Sequence, residues 1–345
     1  MSLPQTYWMD LAAHRARHFL GATLPNPAVG ACIVSAEGQV LALTAHERCG
    51  ETHAEAKAIS AVQNNPDLRP LLKSATLFVT LEPCNHVGRT PPCTATILQS
   101  GIRSVFYGCS DHNPNVAGNG AGFLKANGIH CQLLETDYSN ELNQYFKCVA
   151  LQKRPFLRAK IAYKIEETGF LSHLPAPKLK TFTSQDSLRM AHILRRESSV
   201  IVTSLKTILA DWPMFTVRLV PDHSTGPGQT RPPKRTLVVV GSQLRFQTHA
   251  ETYARYQHER SNDFNIVAFD SARPLKGLID AINRDVQHQL VLLESGPTLL
   301  GAFESERLVD ERHTFITTKR YFGGEDSPDG YKDCYMVHKL LTNYR

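Results

Sequence analysis

The strongest constraint on this chain is a set of three candidate metal ligands, His53, Cys84 and Cys93. One imidazole and two thiolates are groups that zinc prefers, and three protein ligands leave the fourth tetrahedral position open for water. Glu55 lies two residues beyond His53, where the apolar spacing of residues 54–62 predicts a helix, so it can reach that water without being a ligand. The pattern predicts a catalytic zinc site in which Glu55 carries protons.

The elements around the two cysteines support this interpretation. Residues 75–81 are β-branched and apolar, which predicts a buried strand, so Cys84 follows a C-terminal strand end, where open α/β sheets bind ligands. Cys93 precedes a helix predicted over residues 94–98, whose N-terminus favours a thiolate. His-x-Glu followed by Pro-Cys and a second Cys is typical of zinc deaminases, in which activated water attacks a ring carbon and ammonia leaves. Here residues 85–92 separate the two cysteines and are predicted to form a loop. The alternative, two buried free cysteines and an unrelated histidine, does not account for the placement of Glu55.

Composition predicts two domains and excludes several classes of protein. The chain has 345 residues, more than one hydrophobic core usually serves. It has neither a signal-peptide pattern nor an apolar run of about 18 residues, so we expect a cytoplasmic protein without a membrane partner. Its eight cysteines are scattered, which argues against a disulfide framework. A formal charge of +6 is too diffuse for a nucleic-acid partner, although it suits phosphorylated ligands.

Alternating elements predict an α/β fold in both halves of the chain, with helices on both faces of a mixed sheet in the first half. We expect one domain over residues 1–152 and a second over residues 153–345. Strands are predicted at residues 28–34, 40–44, 75–81, 105–107, 129–134, 156–162, 199–203, 235–240, 266–269, 290–293 and 312–317. Helices are predicted at residues 7–20, 54–62, 94–98, 122–127, 139–151 and 184–196.

Residues 294–302 carry the clearest ligand signal of the second half. A strand that runs into a Gly-containing turn and then a helix directs free backbone N–H groups at an anion, here a dinucleotide phosphate. The segment is not the Gly-x-Gly-x-x-Gly fingerprint. On the motif alone, a strand-to-helix turn that needs glycine only for its geometry is an equally good interpretation.

The loop between the two cysteines carries a resemblance to a known family. Residues 83–93 read Pro-Cys-Asn-His-Val-Gly-Arg-Thr-Pro-Pro-Cys, and residues 25–30 read Pro-Asn-Pro-Ala-Val-Gly, with His46 between these segments. This pattern resembles the bifunctional riboflavin-biosynthesis deaminase/reductase family, and the match continues through nearly the whole chain. The resemblance implies a cytidine-deaminase-like α/β/α sandwich followed by a dihydrofolate-reductase-like α/β domain.

The resemblance also implies the two reactions. The first domain would deaminate 2,5-diamino-6-(5-phosphoribosylamino)pyrimidin-4(3H)-one with one zinc ion per chain. The second would use NADPH to reduce the ribosyl group to ribityl, and the protein would form a homodimer. Residues that would contact the deaminase substrate are Asn26, His46, Asn85, His86 and Arg89. Without the resemblance, Asn26 is a turn residue before proline and His46 an exposed loop histidine.

In the second domain the resemblance implies two further sets of contacts. The phosphoribosyl substrate would be held by Arg195, Phe215, Arg218 and Glu294, because arginine grips phosphate oxygens with two parallel hydrogen bonds. Taken singly, an arginine on a helix is more often a solvated surface charge. Residues that would contact NADPH are Ala162, Thr207, Asp211, Ser242, Gly296, Pro297, Thr298, Leu299, Leu300, Gly301 and Ala302.

Departures from the family pattern gather in this second half. Residues 164–167 read Lys-Ile-Glu-Glu where the family has Ser-Leu-Asp-Gly, Thr181 replaces a tryptophan, and Trp212 and Gly241 each replace an aspartate. The substitutions at residues 164–167 motivate an alternative to the bifunctional enzyme, in which only the deaminase is active and the C-terminal domain is a binding or dimerisation module. A nucleic-acid deaminase would need a basic face studded with aromatic residues, and the sequence has no such cluster. A non-catalytic zinc protein is disfavoured by the open fourth ligand position.

Overall fold

The computed structural model describes residues 3–86, 91–111, 119–165, 171–172, 184–226, 232–285, 289–318 and 332–339. The chain divides into two compact units, Met1–Lys153 and Arg154–Arg345. Within the described ranges, no helix combines the length and the apolar character that a membrane crossing requires.

The first unit is a mixed β-sheet with helices on both faces, as predicted. The sheet has the order β2-β1-β3-β4-β5, in which β1 is antiparallel to both neighbours and the last three strands are parallel. The strands are β1 (Gly30–Val34), β2 (Val40–Ala45), β3 (Thr76–Val79), β4 (Ser104–Tyr107) and β5 (His130–Leu133). The helices are α1 (Gln5–Arg17), α2 (Ala54–Gln63), α3 (Cys93–Ser100), α4 (Asn119–Ala126) and α5 (Asp137–Gln152), with a short 3-10 helix at Arg69–Lys73.

Alternate strand residues bury their side chains on opposite faces of this sheet, as the period of two requires. Leu77 and Val105 belong to the core that includes buried residues of α2, α3 and α4. Phe78 and Phe106 point the other way, stack with ring centroids 5.4 Å apart, and pack with Trp8 and Met9 of α1. The sheet is therefore covered on both sides, and its parallel strands end at a common edge.

The second unit is a larger sheet with the order β10-β9-β8-β11-β6-β12-β13, with β7 paired to β6. Neighbours from β10 through β12 are parallel, whereas β13 and β7 pair antiparallel to their partners. The strands are β6 (Phe156–Ile165), β7 (Leu171–Ser172), β8 (Val200–Ser204), β9 (Arg235–Gly241), β10 (Phe264–Asp270), β11 (Leu290–Glu294), β12 (Glu311–Thr318) and β13 (Lys332–Lys339). The helices are α6 (Gln185–Glu197), α7 (Leu205–Asp211), α8 (Gln243–Thr248), α9 (Ala250–Arg260), α10 (Leu275–Ile282) and α11 (Pro297–Ser305).

Two apolar cores cover the faces of this second sheet. Val200 and Val202 of β8 share a core with residues of α10 and α11, whereas Ile201 between them packs with residues of α6, α7 and α9. Strands buried on both faces explain the near-continuous apolar runs of β8, β9 and β11. Because these three strands are parallel neighbours, the segments that follow them all begin at one edge of the sheet.

Candidate active sites

Three elements of the first unit bring the predicted metal ligands together. His53 is the residue before α2, Cys84 lies in the segment after β3, and Cys93 is the first residue of α3. His53 Nδ1 lies 3.3 Å from Cys93 Sγ and 3.6 Å from Cys84 Sγ, and the three ligand atoms lie within 4.8 Å of one another. Tetrahedral zinc with ordinary bond lengths requires ligand separations of about 3.5–3.8 Å. The donor set and its spacing therefore fit one zinc ion.

The pKa values of the two cysteine thiols are shifted in opposite directions. The pKa of Cys84 is lowered to about 4, because its sulfur accepts hydrogen bonds from the Cys93 thiol, from His53 and from the Cys93 backbone N–H at 3.4 Å. The pKa of Cys93 is raised, because its thiol donates to Cys84 and is buried. The protein thus presents one thiolate, and a divalent cation would displace the remaining proton on binding.

Glu55 lies in the first turn of α2 and is 3% exposed. Burial, and then the negative charge of Cys84, raise the pKa of Glu55 to about 7. A carboxyl group with a pKa near neutrality can both accept and release a proton at physiological pH. Glu55 is not one of the three clustered ligands, so its carboxylate is available for proton transfer.

His46 is a buried, neutral histidine rather than an exposed loop residue. Its Nδ1 lies 3.3 Å from the Thr52 carbonyl oxygen, and its Nε2 lies 3.2 Å from the Asn26 amide nitrogen. Because a carbonyl oxygen only accepts, Nδ1 carries the proton and Nε2 accepts from Asn26. Burial is the main cause that lowers the pKa of His46. The sequence alone favoured exposure, and that interpretation is wrong because residues 45–46 lie in the buried end of the β2 hairpin.

Tyr145 of α5 holds the segment that carries Asn26. Its hydroxyl accepts a hydrogen bond from the Ala28 backbone N–H at 2.9 Å and donates one to the Asn26 carbonyl oxygen at 3.3 Å. Tyr145 is 1% exposed. The sequence around Tyr145 does not indicate this role, because a tyrosine on an amphipathic helix predicts core packing and gives no sign of a partner 117 residues away.

A cavity of about 510 Å³ lies beside these side chains, and Cys93 and Tyr145 are buried behind its wall. Its wall includes six of the predicted residues: Asn26, His46, His53, Glu55, Cys84 and His86. Asn85 instead accepts a hydrogen bond from the Thr94 hydroxyl at 2.7 Å. Arg89 lies outside the described residues. The lining residues that were not predicted include Glu82, Asp111 and Phe146.

Glu82 and Gly120 fix the segment that contains the first cysteine ligand. Glu82 is 5% exposed, and its carboxylate accepts from the Ala121 N–H at 3.0 Å and from the Asp111 N–H at 3.4 Å. A Cβ atom at Gly120 would lie 1.8 Å from the Pro83 carbonyl oxygen, so only glycine permits this approach of α4. The start of α4 therefore packs directly against the residues that precede Cys84.

In the second unit, several residues predicted to contact NADPH lie at one sheet edge. Ser242 follows β9, and Gly296 follows β11 and precedes α11. Thr207 is in the first turn of α7 after β8, where its N–H donates to Ser204 Oγ at 3.0 Å. The N-cap residue of α11 is Gly296, which has no side chain to accept a hydrogen bond from the first turn. The N–H groups of that turn can therefore bind an anion.

The remaining predicted cofactor residues are more dispersed. Ala162 lies in the middle of β6, paired with Phe315 of β12, and Asp211 is the exposed last residue of α7. Leu300 is 3% exposed and packs into the apolar core, so its side chain serves the fold. The rest of the predicted set, Pro297, Thr298, Leu299, Gly301 and Ala302, occupies the first two turns of α11.

Arg195 and Glu294 form a buried, two-bonded ion pair at the same edge. Arg195 Nε and Nη2 donate to the two carboxylate oxygens at 2.8 and 2.6 Å, and Lys160 Nζ lies 3.6 Å from Oε1. Burial alone would raise the pKa of Glu294, but the charges of Arg195 and Lys160 outweigh it and lower the pKa to about 2. The Arg195 guanidinium lies 5.7 Å from the centre of the Phe215 ring.

Comparison with known proteins accounts for both units. A model of the cytidine and deoxycytidylate deaminase zinc-binding region matches residues 3–109, and a model of the RibD C-terminal domain matches residues 175–330. The riboflavin biosynthesis protein RibD of Aquifex aeolicus is 32% identical over 319 residues, which cover 90% of this chain and 86% of that protein. This chain belongs to the RibD family. It is a bifunctional enzyme of riboflavin biosynthesis, with a zinc-binding deaminase domain and a reductase domain.

Other members of the family agree. RibD of Escherichia coli is 31% identical over 337 residues, covering 91% of this chain and 87% of that protein. The structure of Acinetobacter baumannii RibD superposes with a TM-score of 0.69 at 29% identity, covering 92% of this chain and 87% of the other. A diaminohydroxyphosphoribosylaminopyrimidine deaminase/5-amino-6-(5-phosphoribosylamino)uracil reductase from Thermotoga maritima gives a TM-score of 0.69 at 27% identity, covering 92% and 88% of the two chains.

Two departures from the RibD pattern have structural partners in this chain. Trp212 ends α7 in the left-handed region with φ 46°, and its indole N–H donates to Glu259 at 2.8 Å. A Cβ atom at Gly241 would lie 3.0 Å from Leu205 Cβ and 3.2 Å from the Phe246 ring, so the space that an aspartate would need is filled. Trp212 and Gly241 are therefore both accommodated by the packing of the second unit. The other departures, at Thr181 and at the Lys164 side chain and residues 166–167, lie outside the described residues.

Proposed function

We propose that His53, Cys84 and Cys93 hold one zinc ion and that Glu55 transfers protons during hydrolytic removal of an amino group. The proposed substrate is 2,5-diamino-6-(5-phosphoribosylamino)pyrimidin-4(3H)-one, the class of compound named for the Thermotoga maritima relative. The observation that carries this proposal is the convergence of three zinc-type ligand atoms beside a buried carboxyl group in one cavity. Zinc bound there supplies a Lewis acid that activates water at neutral pH.

Glu55 has the properties of the proton carrier. Its pKa of about 7 lets the carboxylate accept a proton from the attacking water and return it to the departing ammonia. Neutral His46 and the Asn26 amide bond each other, and Tyr145 holds the Asn26 backbone carbonyl; together the two side chains would orient the pyrimidine ring against this carboxyl group. Asn85, His86 and Arg89 complete the proposed substrate contacts.

Replacing Glu55 with glutamine tests the deaminase proposal. The amide keeps the shape of the side chain but cannot accept the proton, so ammonia release should fall by about 10²–10⁴-fold. Zinc content per chain, measured by metal analysis, should stay at the wild-type level. As a matched control, Cys93→Ser should lose zinc and activity together. Ammonia release by Glu55→Gln at the wild-type rate would refute the assignment of Glu55.

We propose that the second unit reduces the ribosyl group of the deaminated product with NADPH. The helix start after Gly296 would receive the dinucleotide phosphates, and Thr207, Asp211, Ser242 and Ala162 would make further contacts. Arg195, Phe215, Arg218 and Glu294 would hold the phosphoribosyl group, since arginine suits phosphate oxygens. NADPH would supply the hydride for this step.

A coupled comparison tests the reductase proposal against the deaminase-only alternative. Purified protein is given 5-amino-6-(5-phosphoribosylamino)uracil, and the loss of NADPH absorbance is followed with NADH in parallel. Glu55→Gln serves as a control, since it should retain full reduction while lacking deamination. No NADPH oxidation at high enzyme concentration would favour the alternative in which the second unit only binds or dimerises.

We further propose a cytoplasmic homodimer formed through the second unit, with no nucleic-acid partner. The family resemblance supports the dimer. The formal charge of +6 is too diffuse to form a nucleic-acid-binding surface, which supports the proposal that there is no such partner. Sedimentation of the full chain at micromolar concentration tests the oligomeric state. A gel shift with transfer RNA at low salt tests the absence of a nucleic-acid partner, and a shifted band would contradict it.

A further inference from the structure

His192 is a buried histidine in the second unit with no role in the proposed function. It lies on α6, one helical turn before Arg195, and is 3% exposed. Its Nδ1 lies 2.8 Å from the Arg218 backbone nitrogen and 3.4 Å from the Leu219 backbone nitrogen. His192 therefore ties the helix that carries Arg195 to the segment that carries Arg218.

These contacts fix the position of the proton on the imidazole ring. A backbone N–H can only donate, so Nδ1 must be the unprotonated nitrogen. Burial, followed by the charges of Arg195 and Arg218, lowers the pKa of His192 to about 4, so the ring is neutral near pH 7. A neutral imidazole has one N–H, and here that N–H is on Nε2.

The Nε2–H group faces another donor. Among the described residues, its contact is Arg195 Nη1 at 3.5 Å, and a guanidinium has no acceptor. Arg195 Nε and Nη2 are both used by Glu294, so Nη1 is the nitrogen that has no acceptor within the described part of the chain. Two buried donors that converge without an acceptor leave a position suited to an oxygen anion.

Arg218 adds a second positive charge to the neutral His192 donor and the Arg195 guanidinium. Its guanidinium donates to the Thr216 hydroxyl, and no carboxylate pairs with it within the described ranges. Burial and the nearby charge of Arg195 lower the pKa of Arg218. Arg218 is exposed, so an anion can reach the cluster from solvent.

We infer that His192 Nε2–H joins Arg195 and Arg218, which the proposed function already assigns to the phosphoribosyl group, in binding a phosphate oxygen of the reductase substrate. This inference deepens the proposed function and rests on it. It makes His192 a residue that selects phosphorylated over phosphate-free substrate, besides anchoring the segment at residues 215–219. The competing interpretation is that His192 only anchors that segment.

Two substitutions of His192 separate the roles. His192→Asn places an amide oxygen where Nδ1 accepts from Arg218, but it has no group at the Nε2 position. His192→Gln places an amide donor near the Nε2 position but cannot accept at Nδ1. The first variant should keep the anchored segment and lose the phosphate contact, and the second should do the reverse.

The assay compares kcat/KM for 5-amino-6-(5-phosphoribosylamino)uracil and its phosphate-free riboside in the full-length protein. For His192→Asn we expect a loss of about 10- to 100-fold with the phosphorylated substrate and less than about threefold with the riboside. The KM for NADPH should stay at the wild-type value. His192→Gln should keep most of the wild-type preference for the phosphorylated substrate, even if its melting temperature falls.

Direct binding makes the result independent of turnover. Calorimetry with ribose 5-phosphate and ribose should give the same phosphate-dependent difference between wild type and His192→Asn. Equal losses with and without the phosphate group would overturn the inference and leave His192 as an anchor. If wild type binds ribose 5-phosphate through His192 yet oxidises no NADPH, the proposed reductase function fails while the inference stands.

Discussion

The hydroxyl of Tyr145 provides the sharpest test of how the deaminase cavity is built. Tyr145→Phe removes one oxygen atom and keeps the ring that fills the space beneath residues 26–28. The Ala28 N–H would then lose its acceptor in a residue with 0% exposure. The Asn26 carbonyl oxygen would lose a donor at the same time.

The size of the effect follows from these contacts. A buried N–H left without a partner costs about 1–3 kcal/mol. For a unit of about 150 residues this lowers the melting temperature by roughly 2–4 °C per kcal/mol, so we expect a fall of roughly 2–12 °C. The Asn26 amide would also lose its fixed orientation toward His46, and the KM for the pyrimidine substrate should rise by about 2- to 10-fold.

The assay combines thermal unfolding with ammonia release and uses a control on the same helix. Tyr138 of α5 is 46% exposed, so Tyr138→Phe should change neither measurement. NADPH oxidation by the second unit should be unaffected in both variants. If Tyr145→Phe has the same melting temperature as Tyr138→Phe and retains the wild-type KM, the Tyr145 hydroxyl does not position Asn26.

Two further substitutions test the packing of each unit. Gly120→Ala places a Cβ atom 1.8 Å from the Pro83 carbonyl oxygen, so the first cysteine ligand must shift and zinc should be lost more readily to a chelator. Gly122→Ala, with no atom within 4 Å of its new Cβ, is the control, and equal zinc retention in the two variants would contradict this reasoning. Asp310→Asn breaks a pair in which Arg154 donates to both oxygens at 2.7 and 2.6 Å, and should destabilise the second unit by about 3 kcal/mol in urea unfolding. A loss below about 1 kcal/mol would mean that the pair is not structural.

The candidate metal site at His53, Cys84 and Cys93 was predictable, because the residues next to each ligand in the sequence indicate its position. His53 precedes a helix, Cys84 follows a strand and Cys93 begins a helix, and each of these positions is encoded by its immediate neighbours. The predicted helix at residues 94–98 begins one residue earlier than expected, so the second thiol lies within the helix start. The prediction of a shared metal site then needed only the pairing of ligand types, which the sequence also provides.

The support for that cluster was not predictable, because it comes from contacts between distant segments. Glu82 accepts from the start of α4, and Tyr145 reaches the turn at Asn26 across more than one hundred residues of sequence. Nothing near either residue indicates its partner. An aromatic residue on an amphipathic helix predicts burial, and burial does not reveal which backbone group its hydroxyl meets.

In the second unit the predicted strands were found, but helices α7 to α10 were not located in advance. These helices are short, and α8 and α9 are rich in polar residues, so their apolar spacing is weak. Strand β13 carries apolar residues only at its centre, between charged or polar ends, and was not predicted. Strand identity alone does not give strand order, because parallel neighbours are set by the path of the connecting helices.

Strand order decides where the second site lies. Because β8, β9 and β11 are adjacent and parallel, the segments after residues 204, 241 and 294 meet at one edge, although they are far apart in sequence. The sequence after β11 predicts a Gly-containing turn, but by itself it does not distinguish a phosphate-binding turn from a purely structural one. That distinction depends on the neighbouring strands, whose order the sequence does not give. Ser242 and Thr207 follow the parallel strands β9 and β8, and the Arg195–Glu294 pair lies at the end of β11, so polar groups from three segments share this sheet edge. The dinucleotide proposed for the second unit would span this edge, because open α/β sheets bind ligands at the carboxyl ends of adjacent parallel strands.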